Sequence, residues 1–143
     1  MFDFDGRHLL ADVLVSDGQT LSDPEIGIAM LEAIVERVDM TMILPPITVK
    51  FPHSISEMHR TLESLEREGL AECETAQKMR KALAERSEGA YGYSTFVMIA
   101  ESHISLHTFP ELNYFSFDCY SCKNFDENLI KKIIESKFDV EKI

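Results

Sequence analysis

Residues 100–107, AESHISLH, place Glu101, Ser102, His103 and His107 within one short apolar stretch. These four polar groups are compatible with the solvated face of an edge strand, a metal site or a reaction centre. The metal reading depends on local geometry. Two histidines four residues apart are neighbours on a helix, but on a strand they stand about 13 Å apart. The β-branched context favours a strand, so a two-histidine metal site fails on distance. On that strand His103, Ser105 and His107 share one face, and Ser102, Ile104 and Leu106 share the other. An edge strand with a polar face and a reaction centre both remain open at this point.

The elements around this stretch follow from apolar periodicity. RHLLADVLV (7–15) is rich in Leu and Val and predicts a strand. SDPEIGIAMLEAIVERV (22–38) predicts a helix, with Ser22 and Glu25 at capping-box spacing, Pro24 in the first turn and a stripe of Ile26, Met30, Ile34 and Val38. TMILPPITVKF (41–51) predicts a strand that Pro45 and Pro46 must break or confine to an edge. Residues 54–88 are charged and helix-prone, and Gly69 divides them into an antiparallel helical hairpin. Ile55, Met58, Leu62 and Leu65 recur there at helical spacing, a packing stripe.

From Tyr91 the pattern returns to β in three runs: YGYSTFVMIA, HISLHTF and NYFSFDCYSC. A helix follows with Leu129, Ile130, Ile133 and Ile134 on one side, and KFDVEKI supplies a short last strand. Sequential strands with segregated helices predict one α+β domain over 1–143. It is a two-layer sandwich with a mainly antiparallel sheet, carrying a helical insertion at about 54–88. No internal repeat or low-complexity linker interrupts it.

Composition narrows the function classes. The chain has 143 residues, enough for one core, and carries a formal charge of −11. That charge repels phosphate backbones and anionic lipid, so nucleic acid is not expected as a partner. No apolar run reaches the roughly 20 residues of a membrane span, and MFDFDGRH has no signal-peptide pattern, so the expectation is a cytoplasmic protein. Three cysteines, Cys73, Cys119 and Cys122, do not make a disulfide framework. The CxxC of CYSC has no second pair and no suitably spaced histidines, which argues against zinc.

AESHISLHTFPE (100–111) resembles the self-processing segment of the bacterial and archaeal class of S-adenosylmethionine decarboxylases. GRHLLAD (6–12) resembles that family's first strand, YGYSTFVMIAESH (91–103) the strand leading to its cleavage site, and FDCYSC (117–122) its Asp-x-x-x-Cys strand end. The resemblance implies that Glu101–Ser102 is a scissile bond and that Ser102 becomes a pyruvoyl cofactor. The serine hydroxyl attacks the Glu101 carbonyl, the peptide becomes an ester, and elimination followed by hydrolysis leaves the ketone. A ketone conjugated to an amide can form a Schiff base with a substrate amine and accept the electrons released with CO₂.

Roles for other residues come with the same resemblance. It implies that His107 moves protons during processing, that Ser94 assists it, and that Cys122 donates a proton to the substrate carbon after decarboxylation. Glu111 matches a glutamate that holds ribose hydroxyls, and Phe51 or Tyr91 would stack on adenine. Cys119 receives no role and reads as a buried thiol. The implied partner is a second copy in a homodimer with shared sites, the implied substrate S-adenosylmethionine, and the implied product the aminopropyl donor for spermidine.

The chain departs from the family pattern in five places. Phe109 stands for a Trp, LNYFS for Gly-Tyr-Ala and Lys123 for a Gly, the hairpin occupies a normally short connection, and the last strand is shortened. These departures surround substrate recognition more than cleavage. Three functions therefore stay in view: a S-adenosylmethionine decarboxylase, a pyruvoyl decarboxylase of arginine or ornithine, and an unprocessed homologue acting as a binding subunit.

Overall fold

The computed structural model describes residues 6–51, 55–85 and 92–143. Ten elements follow one another: β1 (Arg7–Val15), α1 (Pro24–Arg37), β2 (Ile47–Phe51), α2 (Ile55–Arg67), α3 (Glu74–Glu85), β3 (Gly92–Ile99), β4 (Ser102–Phe109), β5 (Tyr114–Ser121), α4 (Glu127–Lys137) and β6 (Val140–Lys142). The strands form one six-stranded sheet in the order β2-β3-β4-β5-β1-β6. Every neighbouring pair is antiparallel. This is the α+β architecture expected from the sequence. Among the described residues no helix is long and apolar enough to cross a membrane.

Alternation along the strands creates two unlike faces. Leu9, Val13, Ile104, Leu106, Phe115 and Phe117 point inward and join Met30, Leu31 and Ile34 of α1 and Ile130, Ile133 and Ile134 of α4 in one core. At about 25 cal/mol per Å² of apolar surface removed from water, this burial is the main force holding helices to sheet. Among the described residues no helix covers the opposite face. It exposes Leu10, Val49, Phe96, Met98 and Tyr120 between its polar residues.

Two sequence expectations are corrected in detail. Helix α1 is capped by Asp23, whose carboxylate accepts the Glu25 N–H at 3.0 Å. Ser22 instead ends a short 3-10 turn over Gly18–Ser22, because Pro24 fits the first helical position only when the cap is the residue before it. An N-cap of this kind contributes about 1 kcal/mol. The strand expected over 41–51 is a regular ladder only from Ile47. Pro45 and Pro46 precede it, and β2 lies at the sheet edge, where prolines are tolerated.

The hairpin forms as its periodicity predicts, with Met58, Leu62 and Ala76 buried between α2 and α3 and Gly69 at φ +77° in the turn. Among the described residues none of the hairpin belongs to the main core.

Candidate active site

Strand β4 is central to the site, paired to β3 on one side and β5 on the other. The β3–β4 hairpin is tight: Ile99 pairs with Ser102, leaving only Ala100 and Glu101 in the loop. Ser102 has φ 150°, a region that L residues rarely adopt. It lies directly after the Glu101 peptide bond, and the same residue pairs with the buried Ser121 of β5. The backbone N–H of Cys122 donates to the Glu101 carbonyl at 2.9 Å. A donor so placed polarises that carbonyl and would stabilise negative charge developing on its oxygen. The Cys122 side chain is exposed at the end of β5.

His107 and Ser94 occupy the other end of the sheet. They are cross-strand partners of β4 and β3, and Ser94 Oγ lies 2.8 Å from His107 Nδ1. Both reach the uncovered face. Glu111 follows β4 in the 3-10 turn Pro110–Leu112, where it is exposed while Pro110 is buried. Gly18 packs against that turn so closely that a Cβ there would overlap the Pro110 carbonyl oxygen. Asn113 closes it at φ 51°, in the left-handed conformation, and the rings of Phe109 and Tyr114 stack beside it at 5.6 Å.

The expected site residues therefore fall into two groups. Glu101, Ser102 and Cys122 are together at one end of the sheet, and Ser94, His107 and Glu111 at the other. Five residues of extended strand, about 16 Å, separate Ser102 from His107. The Phe51 backbone ends β2 opposite Gly92, at the His107 end, while its side chain lies outside the described residues. Tyr91 lies outside them altogether. A cavity of about 710 Å³ opens along β1 beside β6 and α4, lined by Leu10, Asp12, Tyr114 and Lys131, and none of the expected site residues among the described ones borders it.

Sequence reasoning missed a polar cluster on the uncovered face. His8 Nε2 lies 2.8 Å from one Asp118 carboxylate oxygen and His103 Nε2 lies 3.2 Å from the other. Tyr120 sits between the two imidazoles, with ring centroids at 5.4 and 6.0 Å. Alternation within GRHLL and FDCYS could have put these residues on one face, but only the strand order makes them neighbours. The two cysteines of CYSC differ sharply. Cys119 is fully buried, and burial followed by the nearby Asp118 charge pushes its thiol up to about 12.

Comparison with known proteins turns these positions into a family assignment. The model of the S-adenosylmethionine decarboxylase family matches residues 59–143. The chain belongs to that family. A stretch of 50 residues is 40% identical to the S-adenosylmethionine decarboxylase proenzyme of a Geobacillus species, covering 35% of this chain and 40% of that one. Another, of 31 residues, is 52% identical to the arginine decarboxylase proenzyme of Aeropyrum pernix, covering 22% and 24%. The chain thus matches well under half the length of these curated relatives. A crystal structure of the adenosylmethionine decarboxylase from Aquifex aeolicus superposes with a TM-score of 0.58 at 20% identity, covering 96% of this chain and 82% of that one. That likeness establishes the shared fold.

Proposed function

We propose that the chain is a proenzyme that cleaves itself between Glu101 and Ser102 and then decarboxylates S-adenosylmethionine. One observation carries the cleavage reading: the Glu101 carbonyl is held by the Cys122 N–H at 2.9 Å next to a Ser102 backbone at φ 150°. Strain at the junction lowers the cost of leaving the peptide state, and the N–H favours charge on the carbonyl oxygen during attack.

The chemistry balances on the chain's own atoms. Ser102 Oγ forms a bond to the Glu101 carbonyl carbon while the C–N bond breaks, and the proton lost by the hydroxyl goes to the freed amine. Removal of the Ser102 α-proton then breaks the Cβ–O bond, and Glu101 leaves as a carboxylate. Water replaces the nitrogen, ammonia departs, and residue 102 becomes the pyruvoyl group. This group supplies an electron-accepting carbonyl for decarboxylation. Cys122, exposed at the same sheet end, is suited to deliver a proton to the substrate carbon.

A homodimer completes the reading. His107, with Ser94 at 2.8 Å, is too far along β4 to serve the Ser102 of its own chain as proton mover. A second copy packed face to face, with the two-fold axis near Ser105, would bring its His107 end over the Ser102 end of the first. Sheets in such packing lie about 10 Å apart. The exposed Leu10, Val49, Phe96 and Met98 on that face supply apolar area for the contact.

The A. pernix match supports a second substrate reading, because the proenzymes this chain resembles are named for different substrates. Intact mass tests the cleavage step. The protein should yield fragments 1–101 and 102–143, the second with a pyruvoyl terminus, and Ser102→Ala should stay whole. A folded wild-type chain that remains intact after prolonged incubation leaves only the binding-subunit role. CO₂ release from S-adenosylmethionine against arginine and ornithine then assigns the substrate.

A further inference from the structure

Residues Asp39 to Ile43 join α1 to β2, yet they lie against the end of β3 as a short added edge. Met42 bridges Ile99, the Ile43 N–H donates to the Met98 carbonyl at 3.0 Å, and the Ala100 N–H donates to the Thr41 carbonyl at 2.8 Å. The β3–β4 loop is thereby gripped from two sides. The Thr41 N–H holds the Glu101 carboxylate at 3.2 Å, while the Cys122 N–H holds the Glu101 carbonyl at 2.9 Å. A third contact ties the two grips together. Lys123 Nζ donates to the Asp39 backbone carbonyl at 3.0 Å and lies 3.5 Å from its carboxylate. Asp39 itself has φ 56°, a left-handed residue at the point where the strap leaves the helix.

A two-residue loop would ordinarily relax by rotating the Glu101 peptide, which would release the strain at Ser102. Fixing both the side chain and the carbonyl of Glu101 blocks that rotation. We infer that Asp39–Ile43 is a strap holding the Glu101–Ser102 bond ready for attack, and that Thr41 and Lys123 are positioning residues for self-cleavage. This rests on the cleavage reading above. Thr41 contributes most, because its partner is a carboxylate. Lys123 contributes less, because the Asp39 side chain is 99% exposed and water competes for the ammonium.

The test follows loss of the precursor by intact mass, starting from chain made by cell-free synthesis. Thr41→Pro removes the N–H but keeps the carbonyl that Ala100 uses, and should slow cleavage at least about tenfold. Lys123→Met should slow it about two- to threefold, and Lys123→Arg should restore it. The same changes in the uncleavable Ser102→Ala background should speed amide hydrogen exchange at Ala100 and Cys122 while Phe117 in β5 stays protected. Wild-type cleavage in a folded Thr41→Pro protein, or unchanged exchange at both amides, overturns the strap. If Thr41→Pro does not fold, the Lys123→Met and Lys123→Arg pair decides, and equal rates overturn the inference. A wild-type chain that never cleaves defeats the cleavage reading itself, a result distinct from cleavage that ignores the strap.

Discussion

The two ends of β4 differ in how much of their geometry comes from backbone. At the Ser102 end a tight loop, a strained φ and an N–H on the Glu101 carbonyl hold a peptide bond in place. At the His107 end the features are side chains on an open face: an imidazole on a serine hydroxyl, a carboxylate on a turn and a stacked aromatic pair. On the proposed reading the first end changes its own covalent structure, and the second moves protons and holds a ligand. Both belong to one strand, so a single chain separates functions that the chemistry must bring together. The proposed homodimer would resolve this, since each copy would offer the end that the other lacks.

Complementation gives the largest effect. Ser102→Ala and His107→Ala proteins should each fail to form the pyruvoyl fragment alone. Unfolded together and refolded as a mixture, they should regain it, because half of the dimers are mixed and one of their two sites has both ends intact. The expected recovery is about a quarter of the wild-type cleavage level. Recovery of nothing, with mixed dimers demonstrated by mass, would falsify the shared site and require His107 to act within its own chain.

Next in size is the contrast between Cys122 and Cys119, three residues apart at the Ser102 end. Cys122→Ala should cleave normally but turn over slowly, with residue 102 of the small fragment converting to alanine during exposure to substrate. Cys119→Ala should leave that fidelity unchanged. Alkylation separates the thiols independently: burial raises the Cys119 pKa to about 12, so it stays protonated as well as shielded near neutrality. Iodoacetamide should label Cys122 in the native protein and reach Cys119 only after unfolding. Wild-type turnover in Cys122→Ala, with no alanine formed, removes Cys122 as the proton donor.

What could be read in advance follows the reach of each interaction. The strand character of 102–109, the helix stripe at Met30 and Ile34 and the break at Gly69 all depend on neighbours within a few residues, and all are found where periodicity puts them. The split of the site depends on arithmetic along one strand, so the distance from Ser102 to His107 was available from their spacing. The strap was not. Thr41 and Glu101 are 60 residues apart, Asp39 and Lys123 are 84 apart, and the donors at Thr41 and Cys122 are backbone N–H groups with no sequence signature. The His8–Asp118–His103 cluster needed the placing of β5 between β1 and β4, which no local pattern specifies.

The smallest effect should come from the hairpin, which emerges at the His107 end. Its buried side chains Met58, Leu62 and Ala76 belong to no part of the main core. Within it, Arg80 donates to the Ala71 carbonyl and lies 3.9 Å from both Glu66 and Glu72. At its base, Phe51 and Gly92 are directly paired strand residues, so a short turn can join β2 to β3 without moving either. Replacing residues 53–90 with a four-residue Gly-containing turn should therefore give a folded protein. Its unfolding midpoint should stay within about 4 °C of the full chain, the scale of a 1 kcal/mol change. Self-cleavage should keep its rate, because the strap and the Cys122 N–H lie at the other end of the sheet. Loss of cleavage in this shortened, folded protein would mean that the hairpin acts across the sheet or between copies, and the two ends would no longer be separable.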